Sequence, residues 1–445
     1  MALLSPRLHR FRLLTKLHQA SASKPTNANQ LTVRRKTGCC YAIAVDAPSS
    51  LTDAAGIRWG STTLQGLREE MEDDAVVRSD GLNGFLFAAV FDGHGGCSSV
   101  KFLREELYKD CITAVQGGLL LNGGDFEVIK AALEKAFDDT DKRLLPLLEA
   151  AGKEDESGST ATVAFIRNDV MFISHVGDSC VVLSRSGGAQ VLTSSHRPYG
   201  NNTTSLQEIR RIREAGGWIV NGRICGDISV SRAFGDIRFK TKKYEFGPFN
   251  CPLIFSSFRR FLFASPYGYI LYNRMLRKGV EEGRWSEKFV SRVQFNGDLV
   301  TASPEVLQLT LGSNVEFVLI ASDGLWDYMN SSEAVKFVRN QLSQHGDVQL
   351  ACEALAQAAL VILAQFDLFK ASNNKNLVSS SNKANIMFDK GSQDNISIIM
   401  ADLGRTDWQN LPLQQDNVIF EVAQAFGTIG VVSFGIWWAS STFCL

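Results

Sequence analysis

Phe85-Leu-Phe-Ala-Ala-Val-Phe-Asp-Gly-His-Gly-Gly96 decides how the chain folds. An unbroken apolar run from Phe85 to Phe91 has the pattern of a strand covered on both faces, and Asp92-Gly93-His94-Gly95-Gly96 ends it as a glycine turn does. The pattern recurs at Val315-Glu-Phe-Val-Leu-Ile-Ala-Ser322, which stops at Asp323-Gly324. A strand that ends in Asp projects the carboxylate at the rim of its sheet, and the glycine behind it lets backbone or ligand approach closely. Two such ends predict a cation site shared by Asp92 and Asp323.

Working outward, apolar periodicity predicts further strands at Thr160–Arg167, Val170–Val176, Cys180–Ser184, Ile228–Ala233 and Ile396–Asp402. Helical patterns occupy Ser98–Gln116, Phe126–Leu148, Ser205–Ala215, Ser332–Leu342 and Val348–Leu360. Strands in groups, with long helices between the groups, argue for an α/β (α+β) sandwich: sheet packed on sheet with helices outside, rather than strict βαβ alternation. Two stretches break the pattern. Tyr244–Tyr272 holds ten aromatic residues in 29 with no matching polar face, and Val361–Lys390 ends in an Asn/Ser/Lys-rich run. Both are expected to be insertions that form loops outside the core.

The 445 residues are 45% hydrophobic and 21% charged, an ordinary globular composition. The net charge of −1 hides an asymmetry. Residues 1–45 carry eight basic and no acidic side chains, leaving the remainder with 38 basic and 47 acidic, or −9. An acidic body argues against nucleic acid as a partner and favours carboxylate clusters that hold divalent cations. Nine cysteines without a CxxC pair indicate neither a zinc knuckle nor a disulfide framework, and so a reducing compartment. The basic, Ser- and Leu-containing residues 1–45 have the composition of an organelle transit peptide. Val422–Leu445, uncharged over 24 residues, is long enough to serve as a C-terminal membrane anchor after a linker at 404–421.

Further oxygen ligands surround the two Asp-Gly ends. Glu69, Glu70, Glu72, Asp73 and Asp74 follow Arg68; Asp178 sits in a Val-Gly-Asp-Ser turn; Asp327 lies four residues beyond Asp323; and Gln393-Asp394-Asn395 precedes a strand. Hard ligands with no cysteine and few histidines select Mg²⁺ or Mn²⁺ over zinc or copper. A single Asp-Gly is usually only a turn. The inference rests on several occurring together.

These segments fall in a recognisable order: Arg68-Glu-Glu-Met-Glu72-Asp73, Val90-Phe-Asp92-Gly93-His94-Gly95-Gly96, Gly158-Ser-Thr-Ala161, Val176-Gly-Asp178-Ser179, Ser231-Arg-Ala-Phe-Gly-Asp236, Ser322-Asp323-Gly-Leu-Trp-Asp327 and Asp394-Asn395. Over Ile57–Leu403 the chain resembles the metal-dependent serine/threonine protein phosphatases of type 2C. The resemblance implies two packed, mainly antiparallel sheets flanked by helices, and hydrolysis of phosphorylated proteins with two Mn²⁺ or Mg²⁺ ions. Asp92 would bridge the ions, with the Gly93 carbonyl on one and Asp323 and Asp394 on the other. Glu72 and Asp73 would hold water of the metal shell, Arg68 the substrate phosphate, and His94 would protonate the leaving alkoxide. Asp178 with Asp327 would add a weaker third ion. His175 and His196 are expected to be structural. A silent, phosphoprotein-binding relative would lack Asp92, Asp323 or Asp394, and all three are present.

One departure stands out: the family's usual Asp-His-Lys-Pro is Ser195-His196-Arg197-Pro198 here. Within the family, Ala47–Leu51, Lys101–Lys109, Leu121–Phe126, Ala215–Lys243, Glu282–Val290 and the apolar tail are similar to the plant thylakoid members that act on the light-harvesting antenna of photosystem II. That similarity implies a chloroplast leader, a catalytic domain on the stromal face of the thylakoid membrane, and antenna proteins as partners.

Overall fold

A computed structural model describes residues 56–151, 155–167, 169–240, 276, 278–293, 295–373 and 394–411. Two five-stranded antiparallel sheets face each other. One has the order β13-β7-β6-β3-β2, from β2 (Asp74–Arg78), β3 (Leu86–Phe91), β6 (Ala161–Arg167), β7 (Val170–Val176) and β13 (Glu305–Thr310). The other runs β1-β15-β14-β8-β9, from β1 (Arg58–Leu64), β8 (Cys180–Arg185), β9 (Gly188–Val191), β14 (Val315–Ala321) and β15 (Ile396–Asp402). The expected sandwich is the observed one.

The unbroken apolar runs follow from this layering. Along β3, Leu86, Ala88 and Val90 join Val318, Ile320 and Ile399 in a core between the sheets, while Phe87, Ala89 and Phe91 pack with Leu103, Leu107 and Phe137 of the helices Ser98–Ala114 and Phe126–Ala151. Strand β14 alternates likewise, with Phe317, Leu319 and Ala321 facing Val335, Leu342 and Leu355 of the helices beyond it. Successive side chains point to opposite faces, so a strand buried on both must be apolar at every position. Each fully buried Leu or Phe contributes about 1.5–3 kcal/mol. The helix Ser331–His345 starts with a capping box between Asn330 and Glu333 and ends at Gly346 with φ +69°.

Three expectations are corrected. Val348–Leu360 was expected to give way to a loop, yet the helix continues to Asn373, because Val361–Asn373 contains no proline or glycine to break it. Ile228–Ala233 is not a strand. Only the single bridges Ile224↔Ile228 and Arg232↔Thr301 form, since loop neighbours take up its backbone groups: the Ser231 N–H donates to His196 O, the Ser231 carbonyl accepts from Arg211, and the Ala233 N–H donates to Thr301 O. Trp408, expected in the linker, is buried against Phe317 and donates its indole N–H to Asp402 at 2.9 Å, so the core extends past Leu403. Residues 1–45, Tyr244–Tyr272, most of the second insertion and Val422–Leu445 lie outside the described residues. Among the described residues no helix is long and apolar enough to cross a membrane.

Candidate active site

Strands β3 and β14 deliver Asp92 and Asp323 to one cleft of 470 Å³, whose walls also include Arg68, Glu72, Gly93, His94, Asp178 and Asp394. Two glycines let separate segments of chain close on the strand ends. A Cβ on Gly93 would collide with the Glu72 carbonyl, and one on Gly324 with the Asn395 carbonyl. Asn395 ties these segments together: its amide donates to the carbonyls of Gln65 at 2.8 Å and Glu70 at 3.1 Å, while its Oδ1 accepts from the Glu72 N–H at 2.7 Å. The acidic loop 65–72 and Asp394 are thereby fixed to the same rim, although 326 residues separate Arg68 from Asp394.

One carboxylate oxygen each of Asp92, Asp178 and Asp323 lies within 4.8 Å of the other two. Burial and the neighbouring Asp323, Asp73 and Asp178 push the Asp92 carboxyl well above the usual range. Burial, then Asp178 and Asp327, push Asp323 up to about 8 against the opposing Arg197. Asp73 is raised to about 7, chiefly by burial. Its Oδ1 accepts from the Gly93 N–H at 3.3 Å, whereas its buried Oδ2 has no hydrogen-bond partner. Converging carboxylates of this kind require a proton or a cation, and an all-oxygen set fits Mn²⁺ or Mg²⁺.

The Asp394 carboxylate accepts from Arg68 at 2.8 Å at the half-exposed mouth and, from there, helps raise the pKa values of Asp73, Asp92 and Asp323. Asp178 lies beside Asp92 and Asp323, while Asp327 lines an adjoining cavity with Arg197. Glu72 accepts from the Gly96 N–H and so belongs to the turn that presents His94.

His94 stands on a short three-stranded ribbon, β12-β5-β4, made of Phe234–Gly235, Gly158–Ser159 and Gly93–His94. Its Nε2 lies 2.9 Å from Asp236 Oδ1. A Cβ on Gly158 would strike both partners, which accounts for the glycine opening Gly158-Ser-Thr-Ala161. Burial pushes the imidazole pKa down, but the Asp236 carboxylate outweighs it and raises the pKa above the ordinary value. The contact with Asp236 thus favours the protonated form of His94.

His175 and His196 are not among the residues that line the cleft; both are buried, with rings stacked at 4.5 Å, and their ring nitrogens lie close to a carboxylate oxygen of Glu305. Sequence reasoning missed the roles of Asp236, Asn395 and Arg197. Asp236 and Asn395 stood inside quoted motifs, and Arg197 only in the departure at Ser195–Pro198. Their functions depend on partners 142, 330 and 126 residues away, respectively.

The sequence model of the protein phosphatase 2C family matches residues 57–365. Protein phosphatase 2C 57 of Arabidopsis thaliana is 56% identical over 443 residues, covering 99% of each chain. Probable protein phosphatase 1N of Mus musculus is 30% identical over 309 residues, covering 69% of this chain and 62% of that one. Among solved structures, the serine-threonine phosphatase 2C of Toxoplasma gondii has the same fold, with a TM-score of 0.53 at 17% identity, covering 80% of this chain and 96% of that one.

Proposed function

The chain belongs to the protein phosphatase 2C family and is a metal-dependent protein serine/threonine phosphatase; on that premise we propose that it dephosphorylates light-harvesting antenna proteins at the stromal face of the thylakoid. The observation that carries the chemistry is the convergence of Asp92, Asp178 and Asp323 within 4.8 Å, beside His94 and Arg68 in one cleft. Asp92, Asp323 and the Gly93 carbonyl, with Asp394 at hand, would hold the ions. Bound Mn²⁺ or Mg²⁺ supplies Lewis acidity that activates water near neutral pH and neutralises phosphoryl charge.

The remaining steps belong to the chain. Arg68, paired on one side with Asp394, turns its other N–H groups to the phosphate oxygens and orients the monoester. Glu72 and Asp73 accept hydrogen bonds from water in the cleft. His94, kept protonated by Asp236, gives its proton to the serine or threonine oxygen as the ester bond breaks. No covalent enzyme intermediate is required.

The choice of substrate rests on the sequence: a basic leader at 1–45, the apolar Val422–Leu445, and the segments similar to thylakoid members. A phosphatase tethered to the membrane meets exposed antenna phosphothreonines at raised effective concentration. Truncation after Asn417 should leave hydrolysis of a phosphothreonine peptide unchanged and slow phosphothreonine loss from washed thylakoids. Equal time courses for full-length and truncated protein would sink the tether. Protection of the catalytic domain from protease in sealed thylakoids would sink the orientation.

A further inference from the structure

One cation in the acidic cluster comes from the chain itself. Arg197 Nε donates to Asp178 Oδ2 at 2.6 Å, and its Nη2 donates to Asp323 Oδ2 at 2.9 Å and lies 3.6 Å from Asp327 Oδ1. The pairing is well shielded: the side chains of Arg197, Asp178 and Asp323 are 21%, 4% and 23% exposed.

The backbone under Arg197 is anchored to the turn that carries Asp178. The His196 N–H donates to Gly177 O at 2.8 Å, the Gly177 N–H donates to His196 Nδ1 at 3.2 Å, and the His196 carbonyl accepts from Ser231 at 2.8 Å. The guanidinium is thus built in beside Asp178 rather than swung in from a mobile loop. Its planar fork uses two different nitrogens for two carboxylates from strands of opposite origin, which a lysine ammonium, a single point of charge, does with less geometric precision. In Ser195-His196-Arg197-Pro198 the cation is an arginine, and no carboxylate stands at Ser195 to draw it away.

We infer that Arg197 is the tethered cation of the Asp178–Asp323–Asp327 side of the cleft, so that this side is neutralised by guanidinium and takes no divalent ion of its own. The ions of the phosphatase reaction then lie on the Asp92 side, and Asp323 is the carboxylate common to both. This rests on the metal-dependent reading for the Asp92 side and replaces the weaker third ion that the sequence led us to expect at Asp178 and Asp327. Arg197 acts as a positioning residue: it fixes the Asp323 and Asp178 carboxylates and sets the number of ions the cleft accepts.

The test counts ions and is independent of turnover. Full-length, chelator-treated protein is titrated with Mn²⁺, and free Mn²⁺ is read by electron paramagnetic resonance. Arg197→Ala should bind about one more Mn²⁺ per chain than wild type, or bind its weakest Mn²⁺ about tenfold more tightly, because three close carboxylates lose the guanidinium between them. Arg197→Lys should fall between the two. Asp327→Asn, which leaves the Asp178–Arg197–Asp323 bonds in place, should bind as many Mn²⁺ as wild type, and it keeps the test open should Arg197→Ala fail to fold. Equal Mn²⁺ counts and affinities in wild type and the Arg197 variants overturn the inference, as does loss of one ion in Asp327→Asn. Absence of Mn²⁺ binding in every variant, together with no release of phosphate from a phosphothreonine peptide, overturns it along with the metal-dependent reading.

Discussion

Asp92-Gly93 at the end of β3 and Asp323-Gly324 at the end of β14 solve the same local problem in the two facing sheets. Each follows a strand buried on both faces, and each needs glycine because a foreign carbonyl sits where a Cβ would be. Beyond that the two ends diverge. After Asp92 the chain enters the ribbon that presents His94, whereas after Asp323 it turns directly into the one-turn helix Asp323–Trp326. Asp323 has Arg197 as a partner; among the described residues, no ion pair involves the Asp92 carboxylate. Similar backbone design thus leaves one carboxylate partly offset from within and the other without an internal counter-charge among the described residues.

The largest expected effect comes from removing either charge. Asp92→Asn and Asp323→Asn should each lower Mn²⁺-dependent turnover by about 10³-fold or more, since several kcal/mol of metal-assisted stabilisation at about 1.4 kcal/mol per tenfold is lost, and added Mn²⁺ should not restore it. Near-native rates in both would dismiss the two-ion site. Metal-free stability should separate the variants. Burial and the neighbouring carboxylates raise the Asp92 pKa, so its ionised form costs stability in the absence of metal, and Asp92→Asn should stabilise the stripped protein. Asp323→Asn should gain less, because Arg197 loses a partner. Equal gains in urea denaturation would remove the distinction between the two ends.

The glycines come next. Gly93→Ala and Gly324→Ala should each cost about 2–3 kcal/mol of folding stability, because the clash is with backbone that cannot rotate away. Denaturant midpoints for both, compared with Gly346→Ala, where a Cβ meets nothing within 4 Å and the strain is in φ alone, would show whether close approach or backbone conformation dominates. If Gly93→Ala proved no worse than Gly346→Ala, the packing of Glu72 against the strand end would be wrong.

The parts readable from sequence were those in which one segment carries its own signal. Phe85–Phe91, Val315–Ala321 and Ile396–Asp402 are apolar because two layers cover them, and the two Asp-Gly ends mark the rim. Strand β1, by contrast, is mostly half-buried and reads Arg-Trp-Gly-Ser-Thr-Thr-Leu, a pattern that only pairing with β15 turns into a strand. Ile228–Ala233 erred in the opposite direction: its apolar side chains fill a small cluster with Ile212 and Leu299 without a ladder partner. In the site, the ligands were legible as residue types, while their pairing was not. That Asp323 faces Arg197, that Asp394 faces Arg68 and that Asp236 holds His94 depends on contacts across more than a hundred residues.

The smallest effect concerns pH and contrasts the rim with the histidine pair that supports its Asp178 turn. His175 and His196 are buried, with their pKa values pushed down mainly by burial, and both face Glu305, His175 Nε2 at 3.3 Å and His196 Nε2 at 3.8 Å, with Arg232 also acting on them. A depressed histidine pKa gives stability that is present above the unfolded value of 6.5 and lost as pH falls below it, because only the unfolded chain takes up the proton. At one unit below 6.5 the loss is at most about 1.4 kcal/mol for a histidine that stays neutral in the folded chain. The rim carboxylates have the opposite sign when metal-free: Asp92, Asp323 and Asp73, all raised, bind protons in the folded state first, so acidification through the range near 8 and 7 relieves their repulsion. With Mn²⁺ saturating, that relief is absent and the loss from the histidine pair shows more fully. Urea denaturation between pH 7.5 and 5.5 should therefore show stability falling on acidification in the Mn²⁺ form, a flatter profile in the stripped form, and a reduced slope in His175→Asn. Parallel profiles with and without Mn²⁺ would show that the rim carries no unbalanced charge, and the contrast between its two strand ends would disappear with it.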